Sequence, residues 1–231
     1  MFFYAIMIII CACQNFLLAE PTVVSLGSDC QVAINLRLNQ LRKEAYPFDW
    51  TITENFDSVV DSIEDNFAHW LDPSHLEYKG KQIYNTYYDI SFVHDFPIVG
   101  KPGVSPEGDQ QGFGLIVSNF MQYLPAAQEK FQRRITRFQT LLHSSTPVVF
   151  VRAYASPKAA KRFITLMKSR YPQLPFLLVV MCRECLLKAP WNIENVRNFY
   201  ASDEKGNEFN WWWSHSTWKK AFIKVGLIKK K

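Results

Sequence analysis

Short apolar runs separated by longer stretches of helical periodicity dominate this chain. Thr22–Leu26 is a brief apolar run broken by Gly27 and reads as a buried strand. Ser28 or Asp29 then caps a helix whose inward face is Ile34, Leu38 and Leu41. After the aromatic turn Tyr46–Trp50, Thr51 and Glu54 have capping-box spacing. Phe56, Val59, Val60, Ile63, Phe67 and Trp70 fall on one face of the helix this predicts. Tyr88–Phe96 alternates, which predicts a strand carrying Tyr88, Ile90, Phe92 and His94 on one side. Lys101–Gly114 is rich in glycine, proline and polar residues and reads as a loop.

The second half is more regular. Ala126–His143 has helical periodicity, with Phe131, Ile135, Phe138 and Leu142 inward and Arg133, Arg134 and Arg137 outward. Val148–Val151 and Phe176–Met181 read as buried strands flanking a helix over Ala159–Arg170, and Asn195–Tyr200 as a further strand. Strand, helix, strand at this spacing is the pattern of a parallel pair. The predicted fold is α/β: a single three-layer domain over residues 20–231, its mostly parallel sheet flanked by helices. A papain-like α+β arrangement is the alternative.

Residues 1–19 carry no charged side chain and end at Glu20-Pro21. The stretch is marginal for spanning a bilayer, which takes about 20 apolar residues, and fits a signal peptide better. The expectation is a secreted or periplasmic protein, with a membrane-anchored form as the alternative and membrane contact only through this leader. The net charge of +5 is a mild surplus without a basic stripe, so nucleic acid is not expected as a partner. An aromatic content of 15% argues against disorder as the main state.

Loss of the leader would take Cys11 and Cys13 with it, leaving Cys30, Cys182 and Cys185. Cys182-x-x-Cys185 suits a small disulfide or thiol–disulfide chemistry. No second C-x-x-C or paired histidine completes a tetrahedral set, so neither a metal nor a cofactor is expected. Cys30 falls in the first turn of a predicted helix, where backbone N–H groups and the helix dipole favour thiolate. Those N–H groups also suit an oxyanion, while Asp29 opposes thiolate formation unless it turns to cap the helix. Of the five histidines, His94 is best placed as a base. His69 and His75 look solvent-directed, His143 sits in a last helical turn, and His215 lies beside Trp211–Trp213. Asp49 is preferred over Asp95 as a third member, because neighbours on a strand face opposite ways. Arg152, at a strand's end, is a candidate for binding an anionic substrate group. Trp211–Trp213 and Trp218 suit either sugar stacking or burial against the domain.

In order along the chain, Ser25-Leu26-Gly27-Ser28-Asp29-Cys30, Tyr46-Pro47-Phe48-Asp49-Trp50, Phe92-Val93-His94-Asp95-Phe96 and Arg133-Arg134-Ile135-Thr136-Arg137-Phe138 resemble the successive signatures of one family, described as putative papain-like cysteine peptidases. The resemblance runs from about Thr22 to the Trp218 region. It implies a thiol hydrolase with Cys30 as nucleophile and His94 as base, acting on a peptide, amide or ester bond. Ser28, Asp29, Trp50 and Arg152 are the accompanying candidates for substrate binding. Two rivals stay open: a non-catalytic module binding a glycan or anionic partner, and a thiol–disulfide protein using Cys182 and Cys185.

Overall fold

Val148–Ala153 and Phe176–Cys182 are apolar apart from Arg152, because the sheet they form is covered on both faces. A computed structural model describes residues 20–100, 114–182, 189–200 and 215–229. Residues 1–19, residues 101–113 of the expected loop, Cys185 and Trp211–Trp213 lie outside them. The first half contains β1 (Thr22–Ser25), α1 (Cys30–Leu38), β2 (Thr51–Ile52), α2 (Phe56–Glu64), β3 (Leu76–Tyr78), β4 (Ile83–Asn85) and β5 (Ile90–Phe92). The second contains α3 (Leu124–Leu142), β6 (Val148–Ala153), α4 (Pro157–Arg170), β7 (Phe176–Cys182), β8 (Val196–Tyr200) and α5 (His215–Lys224).

The main sheet has the order β1-β6-β7-β8, and every pairing in it is parallel. Its side chains sort by strand alternation. Val23, Val149, Val151, Val179 and Met181 pack with Val32 and Leu36 of α1 and with Trp218 and Phe222 of α5. On the opposite face Val24, Phe150, Leu178 and Val180 join a larger core that includes Phe56 and Val60 of α2, Phe131 and Phe138 of α3, and Phe163 of α4. This is the expected α/β class with helices on both faces.

A second, antiparallel sheet of order β2-β5-β4-β3 lies in the first half, and the hydrophobic pattern does not reveal it. Its strands are two or three residues long, too short for a period of 2 to register. Tyr88–Phe96, read as one strand, pairs only over Ile90–Phe92, since Asp89 adopts left-handed backbone (φ 57°) and His94 lies past the strand's end. Thr51 does not cap a helix but sits in β2; Asn55 is the cap, its side chain accepting from Asp57 N at 3.0 Å. Phe67 and Trp70 are buried as expected, yet they follow α2, which ends where Asn66 and Phe67 turn left-handed. Leu38, assigned to the inward face of α1, is 55% exposed; that helix is buried on nearly all sides from Cys30 to Leu36, so no single stripe marks it.

Candidate active site

The β1–α1 connection is held from three directions. Leu26 N donates to Val151 O at 2.8 Å and Ala153 N to Gly27 O at 3.1 Å, carrying the β1–β6 pairing to the turn itself. Gly27 has φ +72°, and a Cβ there would lie 3.1 Å from both Phe48 O and Thr53 Oγ1. Only glycine meets both demands. Ser28 is held at φ 110°, a conformation that costs about 1–3 kcal/mol outside glycine, with its carbonyl accepting from Thr53 N at 2.7 Å.

Arg152, fully buried, fastens this turn to the segment after β2. Its Nε donates to Tyr154 O (3.1 Å), one terminal nitrogen to Leu26 O (2.9 Å) and Thr53 Oγ1 (2.5 Å), and the other to Thr53 O and Glu54 O. Five acceptors thus meet the five N–H donors of a guanidinium. Burial pulls its pKa down to about 9, Asp29's charge opposing, so it remains a cation at neutral pH. The donors of Arg152, expected from sequence to meet substrate, are engaged within the protein in this conformation.

Cys30 opens α1 and is 4% exposed. Asp29 is the N-cap, accepting from Gln31 N at 2.7 Å and from Gln31 Nε2 at 3.0 Å. One of the amides expected to face an oxyanion is therefore taken by the cap. The thiol is not primed in this conformation. Burial first, and the Asp29 charge second, push its pKa up to about 12, outweighing the helix-terminus effect that predicted the reverse. Cys30, Ala33, Ile34 and Trp50 form a small buried cluster of their own.

The pairing of β2 with β5, Thr51 opposite Phe92 and Ile52 opposite Ser91, runs the 48–50 turn alongside residues 93–95. The His94 ring accordingly meets Trp50 in a T-shaped contact, centroids 6.1 Å apart. Arg42 lies over the same indole, its guanidinium 5.5 Å from the ring centroid. Asp49, 1% exposed, accepts from Arg42 Nε at 2.9 Å and Tyr46 N at 3.1 Å through Oδ2, while its buried Oδ1 has no hydrogen-bond partner among the described residues. Burial raises the Asp49 pKa, and the Arg42 charge works against that rise.

Asp95 is fully buried and lies 2.7 Å from Lys130 Nζ and 3.9 Å from Arg134, both on α3. Arg134, read as outward, is therefore an inward-facing residue. Arg137 donates to Ala45 O at 2.6 Å, and Arg133 is exposed beside Glu129. The sequence reading missed Lys130, Arg42 and Thr53. The signal for Lys130 was present: a carboxylate inside the buried 92–98 run demands a cation, and Lys130 and Arg134 are one helical turn apart beside Phe131. The signature segments, far apart in sequence, thus pack against one another around Trp50, His94 and Asp49. Cys182 is buried at the end of β7, in the larger core that also takes in Phe48 and Phe92.

The fold and these residues define an α/β protein with a buried cysteine opening a helix beside an indole–imidazole pair. The profile of the family described as "Putative papain-like cysteine peptidase" matches residues 21–184, and the chain belongs to that family. It is also similar to "Uncharacterized protein R408" of Acanthamoeba polyphaga mimivirus, at 24% identity over 88% of this chain and 98% of that protein. No solved structure matches.

Proposed function

We propose that the protein is a cysteine hydrolase acting on a peptide, amide or ester bond, with a peptide the substrate its family favours. Cys30 Sγ attacks the carbonyl carbon and gives its proton to His94. The imidazole passes that proton to the departing amine or alcohol, leaving a thioester that water then cleaves. We assign Asp49 to orient His94, and Ser28, Asp29 and Trp50 to the substrate approach; in the described conformation Asp49 accepts instead from Arg42 Nε and Tyr46 N. The observation that carries this reading is the shared indole: Trp50 belongs to the buried cluster of Cys30 and makes edge contact with His94. Because burial keeps the thiol protonated, turnover requires substrate to expose it, so the described conformation is a latent one.

The test is digestion of a peptide library, read by mass spectrometry, with native protein, Cys30→Ala and His94→Ala. Cleavage by the native chain alone supports the proposal; identical products from Cys30→Ala overturn it. One observation favours a second reading, a non-catalytic binding module: a thiol 4% exposed and pushed up to about 12 is also what a packed structural cysteine looks like. That reading predicts no cleavage by any of the three. We further propose that residues 1–19 direct export and are removed, so that the mature chain begins at Glu20 in a secreted or periplasmic fraction; an intact Met1 in the cytoplasm contradicts this.

A further inference from the structure

His69, Asp72 and His75 follow α2 at intervals of three residues, and each is half-buried. One nitrogen of each imidazole and one oxygen of Asp72 all lie within 4.8 Å of one another. Two histidines and a carboxylate make a familiar donor set for zinc-class ions.

The surroundings hold these groups in place. Asp72 caps the short helical turn Pro73–His75, with Oδ1 accepting from Ser74 N at 3.0 Å and Ser74 Oγ at 2.7 Å. That leaves Oδ2 turned toward His69. A carboxylate fixed through one oxygen with the other presented is how outer hydrogen bonds orient a ligand. The His69 backbone is anchored by Asn85 Nδ2, which donates to its carbonyl at 2.6 Å, and by Tyr88, whose hydroxyl accepts from its N–H at 3.0 Å. His75 O accepts from Thr86 N at 2.9 Å, tying the far end to β4. Tyr87 sits against both imidazoles, with centroids 4.1 Å from His69 and 5.2 Å from His75.

The spacing within the His69–Asp72 pair suits a shared ligand. Among the described residues His69 Nδ1, shielded from solvent, has no hydrogen-bond partner; Asp72 Oδ2 lies 3.6 Å away. That gap is too wide for a hydrogen bond. It is close to the ligand–ligand edge, about 3.3–3.6 Å, of a tetrahedron with metal bonds near 2.0–2.2 Å.

We propose that His69, Asp72 and His75 bind a divalent transition-metal ion of the zinc class, with a fourth position left for water or an incoming ligand. The site is separate from Cys30 and does not depend on the hydrolase reading. It borders a cleft of about 370 Å³ walled by Phe67, Trp70, Phe131 and Asp72 itself. It runs against the expectation of no metal, because a His-x-x-Asp-x-x-His spacing across a turn corresponds to none of the paired spacings that mark zinc sites in sequence.

The test is titration of the chelator-stripped full chain with zinc against a chromophoric competitor. One equivalent should bind, and affinity should fall at least tenfold in His69→Ala and in His75→Ala, with His143→Ala unchanged. Asp72→Asn keeps the capping oxygen while removing the charge, and it decides the matter should either histidine variant fail to fold. Absence of binding, or binding that survives these substitutions, overturns the proposal.

Discussion

Lys130 Nζ lies 2.7 Å from Asp95 Oδ1, and both side chains are buried, at 4% and 0% exposure. A pair removed this far from water holds together only while both partners are present. Lys130→Met leaves Asp95 with Arg134 at 3.9 Å as its remaining cation. It should lower unfolding stability by about 3–5 kcal/mol in urea titration. Adding Asp95→Leu should restore much of that loss. A single variant as stable as the native chain would show that the pair does not anchor α3 over the 93–95 segment.

Arg152 engages all five of its donors, one on Leu26 O in the β1–α1 turn, one on Tyr154 O and three on residues 53 and 54. Arg152→Lys retains the charge but has three donors on one point, so several carbonyls lose their partner. The variant should be destabilised by about 3 kcal/mol or more in chemical denaturation. Native-like stability with impaired substrate binding would instead return Arg152 to the role expected from sequence.

The Cys30 thiol, raised from an ordinary 9.0 to about 12, sets a pH dependence of definite sign. Folding favours the protonated thiol, so its contribution is intact below about 9 and is lost as pH rises toward about 12. Between those limits the native chain should lose stability that Cys30→Ala retains, as read from paired denaturation curves. Asp29→Asn preserves the helix cap while removing the second cause of the shift. Iodoacetamide labelling of Cys30 should therefore be faster in that variant at any pH below about 12. Slower labelling would mean that the Asp29 charge does not oppose thiolate formation.

The main sheet was legible because β6 and β7 are unbroken apolar runs, and that pattern survives without knowledge of what covers them. Asp29 as the cap of α1 was legible for a local reason: its side chain closes on an amide two residues away. The antiparallel sheet was not, because two or three residues cannot display a period, and Thr51 mimicked a cap that Asn55 supplies. Arg134 looked solvated because the helix face was drawn from Phe131, Ile135, Phe138 and Leu142 alone; Asp95, brought beneath α3 by tertiary packing, lies 3.9 Å from it on the buried side. The candidate cysteine and histidine were readable from their segments. The burial that suppresses the thiol was not, since desolvation depends on the Trp50 cluster rather than on neighbours in sequence.

The central claim, a latent nucleophile served by His94, is tested most directly by intact-mass measurement after incubation with a peptide vinyl sulfone. The account predicts a single adduct on Cys30, absent in Cys30→Ala and formed at least tenfold more slowly in His94→Ala. It also predicts that the peptide probe reacts faster than iodoacetamide, because a bound peptide must uncover the thiol. An unmodified native chain, or labelling indifferent to His94→Ala, would contradict it.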